Sequence, residues 1–425
     1  MRILHFSTDD ITGGAAKAAY RLHSALVEAG HDSQMIVLRK RSDDDRVLQA
    51  LPPKPRPWTS RAQRLRDHIP GLRPHPPIAN YTFNFDLQPQ INLAALLANQ
   101  IQSPEIICLH WVNGLLDVRT IRRLYDQTRC PIVWVMADQE PMTGGCHYSF
   151  GCEGFQRECG NCPQLAPSNV KDHSHLVWQR KKEFLTDLPI CFVAPTSWGI
   201  KRLRESSLFQ NHRCELIPYP IDTQIFRPIN QTLARDLLHL PQEKKIIFFG
   251  ASYLEDRRKG MPLLLQALNL LNVRASSVEK DRLFLLIAGL NGKQLLGKLP
   301  FAGKYLGQLN DDLTLALAYQ AANIFACPSI EDAGPMMIPE AMMCGTPVIA
   351  FSTGGAPDLI ETGKTGFLVS QADADSLAGG ILGLLGADNE LAMCVSAQLI
   401  AKKRHSPEVV AKQYLQLFAS LIHNE

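Results

Sequence analysis

Short apolar runs, each bounded by polar or glycine residues and followed by a stretch of helical period, recur from Ile3 to Val369, and no other feature constrains the fold as much. Ile3–Ser7 reads as a buried parallel strand. Thr12-Gly13-Gly14 follows it, and Ala15–Ala29 then places Ala18, Leu22, Ala25, Leu26 and Ala29 at helical spacing. Gly30 closes that helix and Met35–Leu38 starts the next strand, which completes one βαβ unit. Ile106–Leu109, Ile132–Met136 and Ile190–Ala194 continue the pattern. Beyond Ile221-Asp222-Thr223 and Pro228 it resumes, with strands at Ile246–Gly250, Leu283–Ala288, Ile324–Ala326, Val348–Phe351 and Phe367–Val369. Helices are expected at Met261–Leu271, Leu313–Ala322 and Ile338–Cys344, with a further one around Asp358.

Strands alternating with helices in both halves predict an α/β protein of two Rossmann-like, doubly wound parallel-sheet domains facing a cleft. The expected divisions are an N-terminal domain at 1–222, a C-terminal domain at 223–404, and a helix at 405–425 crossing back to the first domain. A length of 425 residues suits two or three domains, each large enough to bury a core. Lys and Arg number 44 against 41 Asp and Glu, a net charge of +3, which lacks the strongly basic footprint of a nucleic-acid binder. No apolar run reaches the roughly 18 residues of a membrane span, and the first residues are too short an apolar run for a signal peptide. A cytoplasmic enzyme is the expectation. Residues 52–77 break the pattern, with seven prolines before Pro77 and the cations Lys54, Arg56, Arg61, Arg64, Arg66 and Arg73. They read as an irregular surface arm with a solvated basic face; the competing reading is contact with anionic lipid on the inner face of the plasma membrane.

The residues with chemistry follow strands. Gly13-Gly14 leaves a bare helix N-terminus that suits an anion, although a plain strand-to-helix turn explains it equally. Arg257-Arg258-Lys259 precedes a helix and could neutralise a diphosphate, against the bland reading of a solvated charge run. Glu331-Asp332 is followed by Gly334, Pro335, Met336 and Met337, whose backbone N–H groups could meet phosphate or sugar oxygens. Glu340 then lies in the first turns of a helix, where its carboxylate could accept two vicinal hydroxyls. A phosphate clamp beside a hydroxyl-accepting carboxylate suits a nucleotide sugar. Asp43-Asp44-Asp45 and Asp373-Ala374-Asp375 are read as solvated.

With these motifs in order, the sequence resembles the retaining glycosyltransferases of family 4, which have the GT-B fold. The resemblance is carried by Pro328-Ser329, by Asp332 and Glu340 with seven residues between them, by Cys344-Gly345-Thr346-Pro347-Val348 and by Arg258-Lys259-Gly260. Pro218 to Pro228, Pro195-Thr-Ser-Trp198 and Gly354-Gly355 with Pro357-Asp358 add to it. Glu331-Asp332 and Thr143-Gly-Gly-Cys146-His147 resemble the branch that builds exopolysaccharides of the colanic-acid type. The resemblance implies that Glu340 holds the donor ribose, that Asp332 faces the donor sugar, that Lys259 binds the diphosphate and that Gly14 approaches a phosphate. It implies a UDP- or GDP-sugar donor, a glycan or lipid-linked acceptor, same-face attack by the acceptor hydroxyl, and no cofactor needed for catalysis. Two departures stand out: Ser252 or Tyr253 occupies the place of a family arginine, with Arg257 or Arg258 left to compensate, and Ala137-Asp138 replaces a His-Asp pair. Asp138 or His110 then shapes the acceptor side. Rival readings are a same-fold epimerase or glycan phosphorylase, and a non-catalytic scaffold that binds a sugar nucleotide.

Seven of the eleven cysteines are scattered and read as core residues, but Cys146, Cys152, Cys159 and Cys162 fall within 17 positions of a loop at 143–165. In a reducing compartment such clustering points to metal before disulfide. Four thiolates suit a closed tetrahedral zinc site with a structural role; an iron–sulfur cluster, two disulfides and four unrelated thiols are the alternatives. Purified protein is expected to carry about one zinc per chain by elemental analysis, lost on Cys159→Ser with Cys162→Ser. Metal-free protein with four titratable thiols would refute the site.

Overall fold

The computed structural model describes residues 1–50, 103–165 and 169–423, so the basic arm lies outside the described residues. Two compact units emerge. The first comprises Met1–Pro195, Gly199–Leu216 and the chain from Tyr414; the second comprises Thr196–Trp198 and Ile217–Gln413. The chain thus divides a few residues before 222, and the three residues Thr196–Trp198 join the second unit. Thr196 Oγ1 donates to the Ala333 carbonyl at 2.7 Å and the Ser197 N–H donates to Asp358 Oδ2 at 2.8 Å. The last helix, Pro407–Ile422, supplies residues to both units.

In the first unit the described strands are β1 (Arg2–Asp9), β2 (Asp32–Arg39), β3 (Val47–Gln49), β4 (Ile106–Leu109), β5 (Ile132–Val135), β6 (Ile190–Ala194) and β7 (Cys214–Leu216). They form one parallel sheet in the order β3-β2-β1-β4-β5-β6-β7. Parallel strands need covering on both faces, and the four residues of β4 and of β5 are accordingly all buried. Helix Gly14–Glu28 covers the edge of β1 and β2, turning Ala18, Leu22, Ala25 and Leu26 inward.

In the second unit the strands are β8 (Lys245–Tyr253), β9 (Leu283–Leu290), β10 (Gly303–Tyr305), β11 (Ile324–Cys327), β12 (Val348–Phe351) and β13 (Gly366–Val369). Their order is β10-β9-β8-β11-β12-β13, again parallel. Alternation along β8 sends Ile246 and Phe248 into one core and Ile247 and Phe249 into another, so both sheet faces are packed. The two-sheet α/β class expected from the sequence is the one observed. Among the described residues no single helix is long and apolar enough to cross a membrane.

Under the first sheet three buried histidines meet. His5 Nδ1 lies 2.9 Å from His110 Nε2, and His23 Nδ1 lies 2.7 Å from Ser33 Oγ. Burial, then the neighbouring His23, holds His110 down to about 3, and burial with His110 and His23 holds His5 well below its ordinary value. Burial also lowers His23, although Asp44 pulls it the other way. These rings fold neutral, whereas an unfolded histidine protonates near 6.5. Their contribution is therefore intact above the unfolded value and is lost as pH falls toward the folded one. Stability is expected to drop on going from neutral to about pH 4.5, with His110 alone contributing on the order of 3 kcal/mol of that loss. Urea midpoints at the two pH values check this, and His110→Asn should lose less on acidification than the parent chain.

Candidate functional site

In each sheet the winding direction reverses once, beside β1 in the first unit and beside β8 in the second. Open parallel sheets bind ligands outside the carboxyl ends of the strands at such a reversal. The residues singled out in the sequence lie in the loops after these strands.

In the second unit the loop after β8 is locked to the loop after β11. Gly260 adopts φ +72°, and a Cβ there would come within 1.8 Å of the Pro328 carbonyl oxygen. The Ile330 N–H donates to the Arg258 carbonyl at 2.7 Å. Lys259 Nζ donates to Asp332 Oδ2, while the Arg258 guanidinium pairs with Asp256 and reaches the Glu331 carbonyl. Asp332 is buried. Burial alone would raise its pKa, but Lys259 and then Arg258 outweigh that and hold the carboxyl below its ordinary value. The loop after β12 closes the same corner: Gly354, at φ +56°, lies against the Asp332 carbonyl, and Gly355 against Thr196. Four sequence segments far apart along the chain thus converge at one end of this sheet.

Glu340 occupies the first turn of helix Met337–Met343 and is 2% exposed. Tyr319 donates its hydroxyl to Glu340 Oε2 at 3.3 Å; burial and then this carboxylate push the Tyr319 pKa well above its ordinary value. Gly334, Pro335, Met336 and Met337 are half-buried on the approach to that helix, and the Gly334 N–H donates to Asp332 Oδ1 at 3.3 Å. A Cβ on Gly250 would meet the Met337 methyl at 2.9 Å, so the end of β8 passes close under this loop. Ser252 and Tyr253, which stand where the resemblance expects an arginine, are exposed, as is Arg257. The arrangement sets two carboxylate-paired cations, Arg258 and Lys259, on the same side of the sheet as a buried carboxylate at a helix start.

In the first unit Gly13 takes φ +88°, with nothing near the position of a Cβ, and Gly14 opens its helix without a side-chain cap. His110 pairs with His5 beside the small pocket at the ends of β4 and β5, and its depressed pKa keeps it neutral. Asp138 behaves differently. Its Oδ1 accepts the Glu140 N–H at 2.8 Å, and its Oδ2 accepts from His147 Nδ1 at 2.6 Å and from Trp111 Nε1 at 3.1 Å. Burial opposes a charge on His147, but Asp138 outweighs it and raises the His147 pKa. His147 Nε2 lies 2.8 Å from Asn113 Nδ2. Sequence reasoning quoted His147 only within a longer stretch. Its position nine residues after Asp138, in a loop rather than on a strand, gave no periodic signal.

The cysteine loop is closed by hydrogen bonds. All four thiols are free, the Gly144 N–H donates to Cys159 Sγ at 3.2 Å and the Gly154 N–H to Cys152 Sγ at 3.4 Å. Among the described residues no group of three or more His, Cys, Asp or Glu side chains is placed to hold a metal ion. The zinc reading therefore rests on the spacing alone. The acidic strings are not merely solvated. Asp44 accepts the Arg46 N–H at 2.8 Å and the Tyr20 hydroxyl at 3.3 Å, and Asp373 caps helix Ala374–Leu385. Short turns recruit Asp side chains to orphan backbone donors, which a charge count does not show.

Residues 243–387, which carry β8 to β13 with Lys259, Asp332 and Glu340, match the family model described as glycosyl transferases group 1. A curated relative, the D-inositol 3-phosphate glycosyltransferase of Mycolicibacterium paratuberculosis (strain ATCC BAA-968 / K-10), is 31% identical over 199 residues, 43% of this chain and 42% of that protein. The putative colanic acid biosynthesis glycosyl transferase WcaC of Escherichia coli (strain K12) is 24% identical over 234 residues, 52% of this chain and 55% of that protein. The chain thus spans about half the length of the curated relatives it matches. Among solved structures, Anabaena HepE in complex with UDP and glucose superposes with a TM-score of 0.66 at 15% identity, covering 99% of this chain and 100% of that one. The fold is GT-B.

Because the Gly260 contact is with backbone, Gly260→Ala cannot be relieved by a rotamer change. It is expected to cost more than about 2 kcal/mol. A urea midpoint close to that of the parent chain would show that the loops after β8 and β11 are not locked as described.

Proposed function

We propose that the chain is a retaining glycosyltransferase that moves a sugar from a nucleotide-sugar donor to a glycan or lipid-linked acceptor. The setting is bacterial surface polysaccharide synthesis on the cytoplasmic side of the membrane. The observation that carries the reading is the convergence of Lys259, Asp332 and Glu340 at the winding reversal of a glycosyl transferases group 1 domain. The activities for which the relatives are named, and the UDP and glucose bound to HepE, support the donor class; the likeness to WcaC supports the polysaccharide setting.

In this reading Glu340 accepts the two ribose hydroxyls, exchanging its contact with Tyr319 for stronger charge-assisted bonds. Lys259 and Arg258 face the diphosphate, and their charge, with the N–H groups of Gly334 to Met337, stabilises it as the leaving group. Asp332 holds Lys259 in place and faces the donor sugar. Gly13 and Gly14 offer a second anion-binding helix start in the first unit. Asp138 belongs to the acceptor side, whereas the burial and pairing of His110 favour a structural part. The loop carrying the cysteine quartet has a structural role, and the elemental analysis above tests whether zinc shares it.

Two variants test the donor assignment by binding. The parent chain should bind UDP or GDP more tightly than the 2′,3′-dideoxy analogue, and Glu340→Ala should erase that preference. Lys259→Ala should weaken the diphosphate by about tenfold or more, and the monophosphate less. It removes a cation and also leaves the Asp332 charge facing the phosphates. Equal losses for mono- and diphosphate, or a ribose preference that survives Glu340→Ala, would sink the assignment.

A further inference from the structure

Helix Glu390–His405 turns Met393, Ala397, Ala401 and His405 into the fold and packs on helix Met337–Met343. Leu391, Val395 and Leu399 each stand two residues before one of the first three, about 200° away around the axis. They face water, with 79, 50 and 58% of their surface exposed. That side of a surface helix ordinarily carries polar and charged residues. Single exposed leucines are unremarkable, but three aliphatics at every fourth position make a ridge about 12 Å long. The next turn continues the same face with Lys402 and Lys403, three and four residues beyond Leu399. Both are exposed, and among the described residues neither forms an ion pair. Arg404, by contrast, donates to the Asp358 carbonyl. The one carboxylate of the helix, Glu390, accepts from Lys245 Nζ at 2.7 Å and from Asn323 Nδ2 at 3.0 Å. The helix dipole accounts for cations in a last turn. It does not account for a water-facing aliphatic ridge that leads into them.

We propose that this face docks the chain on an anionic lipid surface, with Leu391, Val395 and Leu399 entering the headgroup–acyl boundary and Lys402 and Lys403 meeting the phosphate-bearing headgroups. An apolar ridge that ends in unpaired cations fits a surface that is apolar beneath and negative on top. A second copy of the chain fits less well, since the helix presents no free carboxylate to receive its lysines. The helix lies on the bilayer and does not cross it, because its opposite side belongs to the cores of the second unit. The proposal does not rest on the glycosyltransferase reading. Where the acceptor is lipid-linked, docking holds the chain at the plane in which that acceptor lies.

Co-sedimentation of the full chain with vesicles of phosphatidylethanolamine and phosphatidylglycerol, against vesicles of phosphatidylcholine, tests this. The parent chain should bind the phosphatidylglycerol vesicles about tenfold or more tightly than the neutral ones, and high salt should narrow the difference. Lys402→Gln with Lys403→Gln should remove most of that preference. Leu391→Ser, Val395→Ser and Leu399→Ser together should abolish vesicle binding and leave the melting temperature unchanged. Leu313→Ser, at a leucine 64% exposed on another helix, should have no effect. If the triple variant fails to fold, the double lysine variant decides, since both of its side chains are exposed. Equal binding by the parent and the double lysine variant overturns the proposal, as does a parent chain that binds neither vesicle or both alike. Binding that survives the triple variant but is lost when Arg61, Arg64 and Arg66 all become Gln assigns the contact to the basic arm and also overturns it. A dimer in sedimentation velocity that the triple variant dissolves, with no vesicle binding, gives the face to a second copy instead.

Discussion

Parallel strands can be joined only by crossovers, and a sheet wound outward in both directions from one strand must leave a gap between the crossovers at that strand. In this chain the gap falls beside β1 and β4 in one sheet and beside β8 and β11 in the other. Everything with chemical potential depends on that constraint. The backbone leaving β8 and the backbone leaving β11 emerge as neighbours, which brings Lys259 within bonding distance of Asp332 across 73 residues of sequence. The loops leaving β4 and β5 likewise bring Trp111 and Asn113 to Asp138 and His147.

The two ends use charge differently. Asp332 is buried but compensated by Lys259 and Arg258, so its carboxylate remains ionised and its desolvation is offset by pairing. Arg258 is likewise paired, with Asp256, so both cations of the corner are held in place by carboxylates. Asp138 is compensated by hydrogen-bond donors: an indole, an imidazole and a backbone amide. The first arrangement suits a phosphate, which brings its own negative charge. The second suits neutral hydroxyls, which need fixed acceptors and little net field.

Much of the scaffold was legible in the sequence because buried parallel strands are apolar on both faces. Ile106–Leu109, Ile190–Ala194 and Val348–Phe351 appear with the same bounds in sequence and structure. The three-residue strands Val47–Gln49, Cys214–Leu216 and Gly303–Tyr305 went unread, since they sit at or near sheet edges and carry too few apolar residues to show a period. In the site, loops that follow strands were legible as glycine, cation and carboxylate motifs. Their internal pairing was not: spacing cannot show that Lys259 turns to Asp332 or that Tyr319 faces Glu340. His147 escaped for a related reason. Its partner Asp138 is nine residues away in the same loop and Asn113 lies in the loop after β4, a pairing that no spacing shows.

The close contacts of Gly260 with the Pro328 backbone, of Gly354 with the Asp332 backbone and of Gly355 with the Thr196 methyl bear on how such a chain can diverge. Each contact leaves no room for even a methyl group, and together they tie four segments into a single mechanical block. One loop cannot then be imported alone from a relative, because the incoming segment would have to match three others to within a fraction of an ångström. Recombination should succeed when the four segments travel together and fail when they are split. The corner is inherited as a unit, and change within it is confined to exposed side chains such as those of Ser252, Tyr253 and Arg257.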